Sequence, residues 1–280
     1  MTTLFSLPLT SLSPLDKPQL TLPVPTSTLH KYLFEYVRKL GELRLRENQR
    51  VVLYIHGAAF QRRSQDLNLK TAERICEMTG YPVYVPDYRI GIDYSIDEMI
   101  EDILASYKYL VIACQYRPEN MTLIADSSGC TSLMAALQRL EENFLQGPKE
   151  VILMSPFTDA ALTNQSIQRN KGKDIAFLSN QLLENSVRVF TRGGRRDTKR
   201  AEISPIVGDY YSLKDTKVLI QVGKDERLLD DSVMLYHKLR RICSCTLEVY
   251  EDMFHNFATY YSMCDMAKFS WENYLDFMSA

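Results

Sequence analysis

Short runs of consecutive apolar residues, each followed by a longer amphipathic stretch, recur from residue 49 to the end of the chain. Gln49-Arg-Val-Val-Leu-Tyr-Ile55, Tyr81-Pro-Val-Tyr-Val85, the run around Leu123, Val151–Met154, Val218–Val222 and Thr246–Tyr250 read as strands. They are too continuously apolar for a sheet with one wet face. Between and after them, apolar residues at helical spacing predict helices over Leu69–Met78 (closed by Gly80), Ile96–Ala113, Thr131–Leu140, Asp230–Ile242 and Cys264–Met278. Buried strands alternating with helices predict an α/β fold, a mostly parallel central sheet flanked by helices. Residues 1–26 have no sustained period and read as an extended arm. A helical pattern then runs from Ser27 through Leu33, Tyr36, Val37 and Leu40 and stops at Gly41. Residues 157–205 are polar and helix-like, with no strong strand before Val218. They read as an insertion over one end of the sheet, a lid.

Parallel sheets place their chemistry at the carboxyl ends of the strands. Here those ends carry His56-Gly57, Asp87-Tyr88-Arg89, Ser127, Ser155-Pro156, Asp225-Glu226 and His255. Met121-Thr-Leu-Ile-Ala-Asp-Ser-Ser-Gly-Cys130 is the most informative segment. An apolar run, a serine at a turn and an immediate helix describe a nucleophile elbow, which lifts a hydroxyl clear of the backbone beside a helix N-terminus. Ala125 and Gly129 are small enough to let strand and helix approach.

A serine hydroxyl needs a base, and an imidazole needs a carboxylate to fix its tautomer. Two histidines follow Ser127. His237 lies mid-helix and reads as a surface or edge residue. His255 follows the last strand and reads as the base. The acid is expected after Val218–Val222, in Gly223-Lys-Asp-Glu-Arg-Leu-Leu-Asp-Asp231. Asp230 or Asp231 is expected to cap the next helix, and position alone leaves Asp225 and Glu226 both open. His56-Gly57-Ala58-Ala59-Phe60 follows a strand directly. Its small residues let the N–H groups of Gly57 and Ala58 converge with that of Ser128 on a developing oxyanion, where losing one donor costs on the order of 3 kcal/mol.

Composition narrows the classes. The 280 residues are 45% hydrophobic and 24% charged with a net charge of −2, enough for one large domain and without a nucleic-acid footprint. The basic run Arg192–Arg200 reads as a solvated loop. The 6 cysteines include no metal-type spacing and there are only 4 histidines, so neither a metal nor any other cofactor is expected. Cys76, Cys114 and Cys130 read as core residues. The N-terminus lacks a basic leader segment and no run is long enough to span a membrane, so a cytoplasmic location is expected. Asn120-Met-Thr and Asn164-Gln-Ser match the glycosylation sequon and read as chance.

The spaced set His56-Gly-Ala-Ala-Phe60, Pro86-Asp-Tyr-Arg89, Ala125-Asp-Ser-Ser-Gly129, Ser155-Pro156, Ser204-Pro205, Val222–Asp231 and His255-Asn-Phe257 resembles the hormone-sensitive-lipase-like esterases and lipases of the α/β-hydrolase superfamily, over residues 49–277. The resemblance implies a single α/β-hydrolase domain over 1–280, with cap elements at about 1–45 and 157–200. It also implies a serine carboxylic-ester hydrolase for small, fairly apolar esters, working through an acyl-enzyme. Ser127 matches the nucleophile and His255 the base. The family's acid stands three residues after its Val-Gly motif, which selects Glu226. His56 matches a residue that orients the backbone, and Asp87–Arg89 a structural motif. A small-molecule ester is the implied partner, with a homodimer left open. Ala58 and Ala59 replace usual glycines, which motivates the alternative of a weak or inactive ligand-binding relative.

Overall fold

Successive residues of the central strands enter two different cores. The computed structural model describes residues 19–23, 49–57, 59, 65–91, 93–176, 180–191, 193, 197–262 and 264–279. It shows strands β1 (Gln19–Pro23), β2 (Val51–Ile55), β3 (Val83–Asp87), β4 (Met121–Asp126), β5 (Glu150–Met154), β6 (Lys217–Gly223) and β7 (Ser244–Tyr250). The helices that position the site are α1 (Gln65–Thr79), α2 (Ile96–Lys108), α3 (Ser128–Leu137), α4 (Ser166–Arg169), α5 (Asn180–Phe190), α6 (Leu229–Leu239) and α7 (Asp265–Ser279). Val51, Leu53, Ile55, Leu123, Ala125, Val151, Leu153, Val218 and Ile220 face a core shared with α2, α3 and α6. Val52, Tyr54, Ile124, Ile152, Met154 and Leu219 face the other, filled by Ala72 and Ile75 of α1 and by Trp271, Tyr274 and Met278 of α7. This strict alternation across a sheet covered on both faces explains why the strands look uniformly apolar in sequence.

The strand order is β1-β3-β2-β4-β5-β6-β7, and every neighbouring pair is parallel. The chain moves from β2 to β3 on one side and then crosses to β4 on the other. The crevice between the carboxyl ends of β2 and β4 is therefore a topological switch point, where open α/β sheets bind ligands. His56-Gly57 and Ser127 flank it.

Three details depart from the sequence reading. Gln19–Pro23, part of the expected arm, pairs with β3 as an edge strand, and Pro23 suits an edge because it has no N–H to donate. The helix expected over Ile96–Ala113 is α-helical to Lys108 and finishes in a π turn, Tyr109–Ala113. Its start is fixed by a capping box: Ser95 Oγ accepts the Glu98 N–H, and Glu98 accepts the Ser95 N–H. Asp230 and Asp231 do not cap α6, whose N-cap is Leu228. They reach sideways into the segment after β5. Asp231 accepts the N–H groups of Thr158 and Asp159, each at 2.8 Å, and Asn164 Nδ2 at 2.7 Å. Asp230 accepts the Ser166 N–H at 2.8 Å and Arg169 at 2.8 Å. A carboxylate satisfied by a neighbouring segment is not available to its own helix end.

Between β5 and β6 the described residues contain helices and turns and no strand. The expected helix from Ser27 to Gly41 and most of the 1–45 cap element lie outside the described residues, as do Arg192, Gly194, Arg195 and Arg196 of the basic run. Lys199 and Arg200 of that run are exposed. Cys114 and Cys130 are buried, and Cys76 is half-buried beside the α1/α7 core. No disulfide joins cysteines among the described residues.

Candidate active site

The β4 strand ends at Asp126, at the carboxyl end of the sheet, and α3 begins at Ser128, so Ser127 takes the whole change of direction. Its backbone lies at φ 48°, ψ −122°, a region that costs a non-glycine residue about 1–3 kcal/mol and persists only where the surroundings enforce it. Here the Ser127 N–H donates to the Met154 carbonyl at 2.9 Å. At Gly129, a Cβ would stand 2.3 Å from the Ile55 carbonyl oxygen. Only glycine lets α3 pass so close to the end of β2.

The hydroxyl so presented meets the loop after β7. Ser127 Oγ lies 2.8 Å from His255 Nε2. His255 Nδ1 lies 3.1 Å from Glu226 Oε2. Glu226 Oε1 accepts the Ser155 hydroxyl at 2.6 Å and the Gly223 N–H at 2.6 Å. All three side chains of the row are buried, at 7%, 4% and 0% exposure for Ser127, His255 and Glu226. Asp225 turns outward instead and lies 3.4 Å from the exposed Lys173. His237 is exposed on α6.

Burial works against a charge on His255. The Glu226 hydrogen bond and charge, followed by the charges of Asp174 and Asp126, outweigh it and raise the imidazole above its ordinary value. Burial raises Glu226 too, opposed by its bonds to His255, Ser155 and Gly223. A hydroxyl, an imidazole and a carboxylate in one row can pass a proton off the hydroxyl and hold the resulting imidazolium beside a fixed negative charge.

A second layer of polar contacts joins the loops around this row. Asp126 accepts Tyr54 OH at 2.7 Å and the Gly57 N–H at 2.8 Å on one oxygen, and Asn256 Nδ2 at 2.9 Å on the other. Ser155 Oγ also accepts the Asn256 N–H at 3.0 Å. Asp174, fully buried, accepts the His255 N–H at 3.1 Å and the Arg227 N–H at 2.9 Å. Asn170 Nδ2 donates to the carbonyls of Lys224 and Glu226, and Ser166 Oγ to that of Arg227. Sequence reasoning missed Asp174, Asn170 and Ser166. They lie in a polar stretch without periodicity, and nothing local separates Asp174 from Asp159 or Asp197.

The loop after β2 differs from expectation at one point. The Gly57 N–H, expected to face an oxyanion, is directed to Asp126. What this glycine supplies is room: a Cβ would stand 2.6 Å from Asp126 Oδ2 and 2.9 Å from Ser127 Cβ. Ala58 lies outside the described residues. Ser128 is the first residue of α3, where a helix leaves N–H groups that it cannot pair internally. His56 is held by its own loop, with Nδ1 3.1 Å from the Gly57 carbonyl and its backbone carbonyl accepting Tyr88 OH at 2.5 Å. Arg89 forks onto buried Asp102 at 2.7 and 2.8 Å, a structural anchor. Among the described residues, no cluster of His, Cys, Asp and Glu is placed to hold a metal ion, and no helix is long and apolar enough to cross a membrane.

Sheet order and elbow together define an α/β hydrolase. The chain belongs to that family: the family model described as alpha/beta hydrolase fold matches residues 52–259. An esterase of Acinetobacter venetianus is 27% identical over 219 residues, covering 78% of this chain and 71% of that one. An acetyl-hydrolase of Streptomyces hygroscopicus is 29% identical over 212 residues, covering 75% and 69%. Among solved structures, an esterase/lipase from an uncultured bacterium superposes with a TM-score of 0.76 at 25% identity, covering 83% of this chain and 77% of that chain. A hormone-sensitive lipase from a metagenome library shares the fold, with a TM-score of 0.75 at 24% identity over 83% and 78% of the two chains.

Proposed function

We propose that this protein is a serine esterase that cleaves small, fairly apolar carboxylic esters through an acyl-enzyme on Ser127. At the coarser level, ester hydrolysis is what the named relatives have in common: an esterase, an acetyl-hydrolase and a carboxylesterase/phospholipase. The finer reading rests on the row Ser127 Oγ–His255 Nε2 at 2.8 Å and His255 Nδ1–Glu226 Oε2 at 3.1 Å. In this reading His255 takes the Ser127 proton as the hydroxyl adds to the ester carbonyl. Glu226 stabilises the imidazolium. The tetrahedral oxyanion meets the N–H of Ser128 at the start of α3 together with an amide of the loop after β2, with Ala58 as the sequence-based candidate. His255 then returns the proton to the leaving alcohol, and water repeats the cycle on the acyl-Ser127 ester. Residues 157–200 form the cap that selects the acyl group. Absence of disulfides among the described residues fits a reducing compartment, here the cytoplasm.

Rates on p-nitrophenyl esters from acetate to palmitate test the substrate class. Hydrolysis is expected to be fastest for short chains, with a burst of p-nitrophenol where deacylation is slow. A folded protein that hydrolyses none of them overturns the reading. One observation favours a second reading. The Gly57 amide is directed to Asp126, which removes it from the donors expected at the oxyanion site. A weak or inactive ligand-binding relative would bind these esters saturably without releasing p-nitrophenol.

A further inference from the structure

We infer that Asp174 is a positioning residue of the catalytic site: it bridges the loop that carries the acid and the loop that carries the base, and makes the insertion after β5 part of the active site's frame. The inference deepens the Ser127–His255–Glu226 reading and rests on it. Glu226 and His255 come from different loops, one after β6 and one after β7. Past the last sheet pair, Gly223 and Tyr250, the loops meet through the Lys224 N–H on the Tyr250 carbonyl at 2.8 Å, the Asp225 N–H on the Met253 carbonyl at 3.1 Å and the Glu226–His255 pair itself. Asp174 adds a bridge at the residues of that pair with its two oxygens. Oδ1 accepts the His255 N–H and Oδ2 the N–H of Arg227, the residue after the acid. Oδ1 also accepts the Ala176 N–H at 3.2 Å, which ties the carboxylate to its own loop.

The rest of the segment holds Asp174 in place. Asn170 accepts the Asp174 N–H on its carbonyl at 3.2 Å while its side chain donates to Lys224 and Glu226 carbonyls at 2.9 and 2.7 Å. Ser166 donates to the Arg227 carbonyl at 2.8 Å. Arg227 Nε in turn donates to the Ile167 carbonyl at 2.8 Å, and its guanidinium is fully buried. Acceptors and donors thus alternate between the two segments, and each buried polar group serves the other. Ser166, Asn170 and Asp174 are 0%, 3% and 0% exposed. A displaced His255 main chain would move Nε2 away from Ser127 Oγ, and misplacements of about 1 Å cost on the order of 100-fold in rate.

The carboxylate has a second effect. His255 faces Glu226, Asp174 and Asp126, and each of their charges favours the imidazolium. An amide in place of Asp174 keeps the shape, removes one negative charge, and offers an N–H where an acceptor is required. Asp174→Asn is therefore expected to lower kcat roughly 10- to 100-fold with KM little changed, and to shift the acid limb of kcat/KM to lower pH. Asp174→Glu retains the charge and is expected to lose rate while its acid limb stays with wild type. A purely structural role would lower the amount of folded enzyme and leave the limb and the rate per active site alone. Titration of active sites with a fluorophosphonate gives that rate directly. Wild type that hydrolyses and is labelled, beside an Asp174→Asn with the same kcat and the same limb, overturns this inference alone. Wild type that does neither overturns the esterase reading. If Asp174→Asn does not fold, amide exchange in wild type decides. The His255 and Arg227 N–H groups are expected to be slow and to exchange in one common opening, whereas exchange of either at the rate of an exposed loop amide overturns the bridge.

Discussion

Glu226 and Glu150 are both fully buried, at opposite ends of the same sheet. Glu150 begins β5. It pairs with Arg50, accepts the Thr122 hydroxyl at 2.7 Å and lies 3.3 Å from Lys149, while Arg50 also donates to the Met278 carbonyl at 2.7 Å. Those partners tie β2, β4, β5 and α7 together, and a guanidinium remains charged at any working pH. None of Arg50, Thr122, Glu150 and Met278 has a positive φ. Glu226, by contrast, is held by a hydroxyl and an N–H and paired with an imidazole, which titrates. Three residues around it, Ser127, Ser155 and Asn256, sit at φ 48°, 48° and 59°. One buried carboxylate closes the fold with a permanent charge; the other is kept in a strained, tightly hydrogen-bonded setting where its partner can change charge. Strain and a reversible charge are costs that a purely structural site would have no cause to carry.

The comparison can be broken at either end. At the upper end, Ser127→Ala is expected to reduce kcat on p-nitrophenyl acetate by about 10,000-fold or more. Its melting temperature should stay near wild type, because the hydroxyl caps no helix. Glu226→Gln is expected to lose about 1,000- to 10,000-fold in kcat, since an amide keeps the shape but cannot support the imidazolium. Steady-state rates on that variant check it, and near-wild-type turnover would detach Glu226 from the chemistry. At the lower end, Glu150→Ala is expected to cost about 3 kcal/mol of stability by leaving Arg50 without its acid. Urea denaturation reads that loss, while the rate per labelled active site should match wild type.

The smallest effect sharpens the upper end. In the proposed mechanism the working base is neutral His255, and its imidazole is raised above the ordinary value of 6.5. The protonated form therefore persists to higher pH, and kcat/KM is expected to rise with pH along an acid limb centred above 6.5. A limb centred at or below that value would mean that the carboxylates around His255 give its charged form no net support.

The same contrast explains what could be read from the chain. Strands β2, β4, β5 and β6 stand out because both faces of the sheet are covered, and burial leaves an unbroken apolar run. Ser127, His255 and the Asp225-Glu226 turn stand out because polar residues directly after such runs are conspicuous. Position alone could not choose between Asp225 and Glu226. The difference is a matter of backbone direction at the turn, which sends one side chain to Lys173 and the other to His255. Asp230 and Asp231 were expected at a helix cap because cap positions are a local pattern, yet their partners lie some 64 to 73 positions away in sequence, at Ser166, Thr158 and Asp159. Asp174 was illegible for the same reason: its contacts to Arg227 and His255 span 53 and 81 positions. Strand β1 carries too short and proline-broken a pattern to signal itself, and exists through pairing with β3.

The most direct test of the account is intact-mass analysis and peptide mapping after treatment with a fluorophosphonate. One adduct per chain is expected, on Ser127, formed by wild type and absent from Ser127→Ala. A folded wild-type protein that takes up no adduct, or takes it up at another residue while hydrolysing esters, would contradict the assignment of Ser127 as the nucleophile.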